Sequence, residues 1–157
     1  MKRPFVALIA LVALAAATPA FSGDKPKGPP MPKTIADYRH NVMEGMAKHS
    51  GAIRMVISGE VDRKQDLVAH AEALAAFGPS LVDLFPEGTG PDKLKTDAKP
   101  EVWTKRADFE TAAKSFVTES TKLVEVAKGG DFEAFKVQYG AVGKTCGGCH
   151  DGFLAED

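Results

Sequence analysis

An unbroken helical pattern in residues 132–153 constrains the fold more than any other feature of the sequence. Apolar residues and both cysteines of the chain recur there in steps of three and four, which is the spacing of one face of an α-helix. The members of this pattern are Phe132, Phe135, Tyr139, Val142, Cys146, Cys149 and Phe153. The sequence therefore predicts a long helix whose core-facing side carries both thiols.

The two cysteines belong to the run Cys146-Gly147-Gly148-Cys149-His150. A Cys-x-x-Cys-His run is the attachment signal of c-type haem, in which the two thiols bond to the porphyrin. The histidine that follows is then placed to bind the iron. The motif predicts one covalent haem c held by Cys146 and Cys149, with His150 as a ligand of the iron.

Three other interpretations of the cysteine pair remain open at this point. A redox disulfide of the thioredoxin type usually opens a helix after a strand, and no strand pattern precedes this motif. A structural zinc site requires four ligands, and no second ligand pair is evident in the sequence. A plain structural disulfide is the simplest alternative. The adjacent histidine and an export signal at the N-terminus favour haem attachment over all three.

The first 22 residues have the features of a secretory signal peptide. Lys2 and Arg3 precede a short apolar run at residues 5–17, and residues 20–22 have the small-x-small form of a cleavage site. The apolar run is too short for a comfortable membrane span. We therefore expect a periplasmic protein with no membrane span in its mature form.

Cleavage is expected after Ser22 or, alternatively, after Ala20. Residues 23–33 contain four prolines and no periodicity, so they are predicted to form a flexible leader. Residues 34–157 are long enough for one domain with one core.

Three further segments of that domain show helical periodicity. The first helix is predicted over residues 35–57, with Thr34 as its N-terminal cap and Gly59 as its stop. Its core stripe is predicted to contain Ile35, Tyr38, Val42, Met46, His49, Ile53 and Val56. The second helix is expected to begin after a cap at Asp62 and to be interrupted at residues 78–79, where a glycine precedes a proline.

A third helix is predicted to start after Pro100 and to end at residues 129–130, two consecutive glycines, and Asp131 is the predicted cap of the fourth helix. Residues 86–100 form a long polar connection. Because no strand alternation appears, the sequence predicts an all-α, antiparallel, up-down four-helix bundle around one haem. Glycines of the fourth helix, such as Gly143, would let a flat porphyrin or a neighbouring helix approach closely.

Charge and motif content exclude several function classes. The formal net charge is −1 and no basic tract is present, so no nucleic-acid partner is expected. There is no nucleophile–base pair, phosphate-binding loop or second metal cluster, so the chain is not expected to be an enzyme.

The sequence resembles the cytochrome c′ family of exported four-helix haem proteins. The resemblance runs from about residue 35 to residue 153 and depends on four matching segments. These are Tyr38-Arg39 with Met43, Gly88-Thr89, Lys99-Pro100-Glu101-Val102-Trp103, and the run from Cys146 to His150. The last two are the more specific, since the haem motif lies in the final helix and a Pro-Glu-x-Trp segment precedes the third.

The resemblance implies roles for individual residues. It implies that His150 is the proximal ligand, that Arg39 lies near a haem propionate, and that Thr89 belongs to the haem site. The sequence departs from the family pattern at three places. His40 replaces a glutamine that is common there, Gly90 replaces an acidic residue, and Leu154 replaces a basic residue.

Met43 decides between two functions. It shares a helix face with Arg39, so the resemblance places it over the ring, near the iron. Some members of the family use a methionine here as a sixth ligand and carry electrons in a low-spin state, whereas others leave the iron five-coordinate and bind NO and CO. Because a thioether is a good partner for haem iron, we expect Met43 to ligate it.

The primary expectation is therefore a periplasmic mono-haem electron carrier that meets redox partner proteins. The alternative is a five-coordinate protein that binds NO or CO and acts in protection or sensing. The resemblance also implies a possible homodimer, since relatives often pair through their first two helices.

Overall fold

The structure, a computed structural model, describes residues 32–155 and the side chains of residues 35–155. Within this range the helices are α1 (Pro32–Ser58), α2 (Leu67–Ala76), α3 (Glu101–Thr104), α4 (Arg106–Gly129) and α5 (Phe132–Phe153). Short 3₁₀ turns at residues 64–66, 78–80 and 82–84 flank α2. The predicted signal peptide and nearly all of the leader lie outside the described residues.

The four main helices pack in the order of the chain, α1 on α2, α2 on α4, and α4 on α5. Successive main helices are antiparallel, which confirms the predicted up-down bundle. The helix α3 is a single additional turn before α4. The first and last helices of the series, α1 and α5, face each other across a cavity. None of the helices described is both long and apolar enough to span a bilayer.

The core lies where α1, α2, α4 and α5 meet, with α3 at one end. Its most deeply buried side chains are Ile53, Val102, Phe109, Leu123, Phe135 and Val142. Edge-to-face aromatic contacts extend this core toward the long connection: the ring centroid of Phe109 lies 5.0 Å from that of Phe85 and 5.2 Å from that of Phe153. These contacts position the end of α5 against residues 85–100.

The predicted helix ends around α5 are confirmed. The carboxylate of Asp131 accepts a hydrogen bond from the backbone N–H of Ala134 at 3.0 Å, so it caps α5. Gly130 ends α4 with a φ of 76°, and Gly59 follows α1 with a φ of 81°. Both values lie in the left-handed region that glycine adopts without a steric penalty, which explains why each helix stops there.

Three predicted helix boundaries are wrong. The helix α1 begins at Pro32, three residues before its predicted start; proline is well suited to a first helical turn, and the side chain of Thr34 lies outside those described. Asp62 caps no helix, because a 3₁₀ turn intervenes and α2 begins only at Leu67. The third helix is divided at Lys105, which has a φ of −118° and a ψ of 47°.

The predicted core stripe of α1 is also wrong at one position. Tyr38 is 52% exposed, and the first turns of α1 bury Ala36 and Arg39 together with the predicted Val42. The helix is therefore rotated so that a cation, and not an aromatic ring, faces inward. This rotation brings Arg39 to the cavity.

Candidate functional site

A cavity of about 650 Å³ lies between α1, α5 and the end of the long connection. Apolar and aromatic side chains from α4 and from the core close its inner side. The lining includes side chains of α1 (Arg39, His40, Met43, Met46, Ser50, Arg54), of the connection (Lys95, Thr96, Asp97) and of α5 (Tyr139, Cys146, Cys149, His150). The volume lies in the range of about 300–1,000 Å³ that small-molecule and cofactor sites occupy.

The wall formed by α5 carries the predicted attachment motif. Cys146 and Cys149 are one helical turn apart, both are half-buried free thiols, and both line the cavity together with the exposed His150. Burial raises the pKa of both thiols, and the proximity of Cys146 adds to the increase in the pKa of Cys149.

Gly143 lies on the same wall, one turn before Cys146. A β-carbon at Gly143 would meet no other group within 4 Å, and the same is true of Gly140, Gly147 and Gly148. Within the described part of the chain no helix packs closely against these positions, so of the two predicted uses of the glycines the approach of a porphyrin stays a prediction. The bare backbone of Gly143 borders open cavity space instead.

The opposite wall is formed by α1. Met43 and Met46 are both half-buried and both line the cavity, so two thioethers face the wall that carries the cysteines. His40 is exposed at the edge of the cavity. The apolar periodicity of α1 predicts that Met46 packs in the core. In the structure Met46 lines the cavity, as Met43 does, so the same wall carries a second thioether.

Arg39 is a buried cation without an acidic partner among the described residues. Only 3% of its surface is exposed, and burial lowers its pKa. Its guanidinium donates hydrogen bonds to the hydroxyl of Thr89 at 3.0 Å, to the carbonyl of Thr89 at 2.8 Å and to the hydroxyl of Thr96 at 2.7 Å. It also lies over the rings of Phe85 and Trp103, at 5.0 and 5.6 Å.

Thr89 does not line the cavity. It is 4% exposed, and its hydroxyl donates to the carbonyl of Pro86 at 2.7 Å while accepting from Arg39. Its contribution to a bound group is therefore the orientation of Arg39. The glycine at position 90, where the family pattern has an acidic residue, lies in a tight space. A β-carbon there would lie 3.3 Å from the ring of Trp103 and 3.0 Å from a carboxylate oxygen of Asp92.

Sequence reasoning missed three polar contacts, two of which involve residues that line the cavity. Thr96 holds Arg39 together with Thr89. Ser50 and Tyr139 form a direct hydrogen-bonded pair between α1 and α5. His49, predicted to be a core residue, pairs with His70 of α2 through their Nδ1 atoms at 2.9 Å. Of these residues only Tyr139 could have been singled out from the sequence, because it is the one member of the apolar α5 stripe that carries a hydroxyl group.

The alternative of a zinc site receives no support. The described residues contain no group of three or more histidine, cysteine or acidic side chains arranged to hold a metal ion. The arrangement that does exist is an apolar cavity with two thiols and an imidazole on one wall, two thioethers on the other, and a buried cation at its edge. Such a cavity can hold a flat, largely apolar group that carries an anionic substituent.

Comparison with known proteins places the chain in a family. The family model described as Cytochrome C′ matches residues 34–154. A cytochrome c′ from Pararhodospirillum photometricum is 33% identical over 122 residues, which cover 78% of this chain and 97% of the relative.

Solved structures agree with that match. A ferrous variant of cytochrome c′ from Alcaligenes xylosoxidans with bound NO superposes with a TM-score of 0.74 and 27% identity, over 83% of this chain and all of the other. A carbon-monoxide-bound variant of the same protein gives a TM-score of 0.73 and 28% identity, over 80% and 98%. A further cytochrome c′, which has an unusual ligand-controlled dimer dissociation, gives a TM-score of 0.76 and 30% identity, over 82% and 100%.

Proposed function

The chain belongs to the cytochrome c′ family, whose members bind haem c covalently, and from that premise we propose that it binds NO or CO at the iron on the side of α1. The relatives solved with bound NO and CO favour this function over the electron carrier that the sequence first suggested. The observation that carries the proposal is the composition of the α1 wall. It presents thioethers, which are weak and displaceable compared with imidazole, to the wall that carries the attachment motif.

Cys146 and Cys149 are the proposed attachment points, and His150 is the proposed protein ligand of the iron. All three line one wall of a cavity of suitable volume, and the bare backbone of Gly143 leaves space beside them. When bound, the haem supplies a redox-active iron that takes a diatomic gas at an open coordination position. The residues of α5 fix where that iron lies, and the apolar lining keeps water from it.

Arg39 is proposed to receive a propionate of the haem. A buried cation held only by neutral partners is costly unless a negative charge is nearby, and none of the described carboxylates forms an ion pair with Arg39. The remaining N–H groups of its guanidinium are available because Thr89 and Thr96 use three of its five. These threonines therefore orient the cation, and the cation orients the haem.

A second function, electron transfer to and from redox partner proteins, is favoured by the same methionine. Met43 lines the cavity one turn after Arg39, so its sulfur is within the reach of a group that Arg39 holds. If it binds the iron, the protein is six-coordinate and low-spin, and the position for gases is closed. The gas-binding proposal requires that Met43 leave the iron free or yield to NO and CO.

The deciding experiment is the absorption spectrum of the ferrous holoprotein with and without CO. A high-spin spectrum that changes at once on addition of CO supports gas binding. A sharp low-spin spectrum that resists CO overturns it in favour of electron transfer.

Variants of α1 then assign the ligand. Met43→Ala converts a six-coordinate protein to a high-spin form that binds CO readily, and it keeps the helix because alanine is the best helix former. Met46→Ala tests the second thioether of the wall. Met55→Ala is the matched control, because Met55 is exposed on the same helix.

The N-terminal organisation is proposed on the sequence alone. We propose that residues 1–22 are a cleaved signal peptide, that residues 23–33 form a leader, and that the haem domain occupies residues 34–157 in the periplasm. Mass measurement of the protein from a periplasmic fraction tests this. A mature chain that starts at residue 23 supports cleavage after Ser22, and one that starts at residue 21 supports cleavage after Ala20. An uncleaved chain overturns both.

A homodimer through α1 is proposed as well. Tyr38 and Met55 are large exposed apolar residues of that helix, and one structural relative is a dimer whose dissociation is controlled by ligand. Sedimentation of the holoprotein with and without CO tests it. A single monomeric species at all concentrations overturns the dimer.

A further inference from the structure

Among the described residues, one pair of side chains makes the only hydrogen bonds between α1 and α5. The hydroxyl of Ser50 lies 2.6 Å from the hydroxyl of Tyr139, and the hydroxyl of Tyr139 donates to the backbone carbonyl of Ser50 at 3.0 Å. No ion pair joins these two helices within residues 32–155. Both residues are half-buried and both line the cavity.

The sequence spacing relates this pair to the two walls of the site. Met43 precedes Ser50 by seven residues, and Cys146 follows Tyr139 by seven residues. Seven residues are close to two helical turns, or about 10.5 Å, and return the side chain to nearly the same face. Because α1 and α5 are antiparallel, Met43 and Cys146 lie at the same level of the cavity, two turns from the hydrogen-bonded pair.

Met43 also lies between two anchors of α1. Arg39, four residues before it, is held by Thr89 and Thr96 of the long connection. Ser50, seven residues after it, is held by Tyr139 of α5. The segment that carries Met43 is thus fixed at both ends against the structures that surround the cavity, while the space beside it stays open.

We propose that Tyr139 is a positioning residue for the gas-binding side of the haem. Through Ser50 it sets the separation and register of α1 relative to α5. It thereby sets how closely the thioether of Met43 approaches the iron and how strongly it obstructs gas binding there. This inference rests on the proposed haem site and deepens it. Tyr139 itself lies two turns from the attachment motif, so it acts through Met43 and not by direct contact with the gas.

The hydroxyl of Tyr139 is the group that matters, since its ring packs with the core in either case. Tyr139→Phe removes both hydrogen bonds and keeps the ring. Ser50→Ala removes one of them and leaves the carbonyl acceptor in place, so its effect is smaller. Loss of the hydrogen bonds between Ser50 and Tyr139 lets α1 move relative to α5, and Met43 then obstructs access of CO to the iron less strongly.

The test measures the rate of CO association with the ferrous holoprotein. We expect Tyr139→Phe to bind CO about two- to tenfold faster than wild type, the range that the net free energy of one hydrogen bond gives. The rate of CO association of Ser50→Ala should lie between those of wild type and Tyr139→Phe. In a Met43→Ala background, Tyr139→Phe should change the rate of CO association little, because the thioether that obstructs the iron is already absent.

Ser58→Ala is the control, because the hydroxyl of Ser58 lies at the exposed end of α1, outside the cavity, and contacts only Met55 and Glu60, so the rate is expected to stay unchanged. An unaltered rate in Tyr139→Phe overturns the inference. An equal acceleration in the Met43→Ala background also overturns it, because the effect would then bypass Met43.

Failure of gas binding is a separate outcome. If wild type and Met43→Ala both fail to bind CO, the proposed function is wrong, and the ferrous spectrum becomes the readout for Tyr139. A larger high-spin fraction in Tyr139→Phe than in wild type then supports the positioning role. An identical spectrum overturns it.

Discussion

The two sides of α5 illustrate two different ways of holding a helix. On the side of α4, α5 is held by packing, with Phe135 almost completely buried in the same core as Leu123. On the side of α1, helix meets helix across open space, and polar contacts at the ends of the cavity hold them in place. The packed side gives the bundle its stability, and the open side gives it a place for a cofactor.

The difference predicts that substitutions on the two sides affect different measurements. Loss of a packed side chain should lower the free energy of unfolding and leave the spectrum of the haem unchanged. Loss of a group on the cavity side should alter the haem and its ligands, with a smaller cost in stability.

The largest expected effect is on the cavity side. Cys146→Ala together with Cys149→Ala should abolish covalent attachment, because both thioether bonds need the sulfur atoms of these residues. The measurement is retention of haem after acid–acetone extraction, with wild type as the retaining control. Haem that stays with the double variant through extraction would contradict the assignment of the motif.

Phe135→Ala tests the packed side. Truncation of a fully buried phenylalanine should lower the free energy of unfolding of the holoprotein by about 3–5 kcal/mol, because it leaves a cavity in the core. Denaturant unfolding measures the loss, and the ferrous spectrum should stay that of wild type. Val137→Ala is the control, since Val137 is 77% exposed on the same helix. A changed spectrum in Phe135→Ala would break the distinction between the two sides.

Arg39→Leu tests the polar anchor of the cavity. It removes charged hydrogen bonds to Thr89 and Thr96, so we expect a loss of about 2–3 kcal/mol in unfolding free energy together with a shifted haem spectrum. Arg54→Leu is the control, because Arg54 lines the cavity but is exposed. Equal effects from the two arginines would show that burial of Arg39 is unimportant.

Asp131→Ala should have the smallest effect. It removes the cap of α5, far from the cavity, and should lower the unfolding free energy by about 1 kcal/mol. Thermal unfolding of the holoprotein measures this. Asp131→Asn should restore most of the loss, since asparagine caps equally well, and a variant that is no less stable than wild type would remove the role assigned to this cap.

The packed side was predictable from the sequence, because burial against other helices leaves a periodic pattern. The steps from Phe132 to Phe153 identified α5, and Asp131 and Gly130 marked its boundary. The spacing of three between Cys146 and Cys149 likewise placed both thiols on one face of that helix. Local chemistry determines these features, so local sequence reveals them.

The cavity side was predicted less completely, because its geometry depends on contacts between distant residues. The inward rotation of Arg39 and the exposure of Tyr38 follow from hydrogen bonds to Thr89, 50 residues away. On either side of the break at Lys105, Trp103 donates to the carbonyl of Pro86 and Arg106 to that of Phe85, at 2.9 Å in each case. The pair formed by Ser50 and Tyr139 spans 89 residues, and periodicity carries no information about such a contact.

The junction between the long connection and the end of α5 has a consequence for the order of folding. The backbone N–H of Lys99 donates to the carbonyl of Phe153 at 2.8 Å, and that of Ala155 donates to Asp97 at 2.7 Å. These contacts join segments more than 50 residues apart, and forming them requires closure of a large loop, which is slow compared with helix formation. The individual helices can therefore form before this junction closes one end of the cavity.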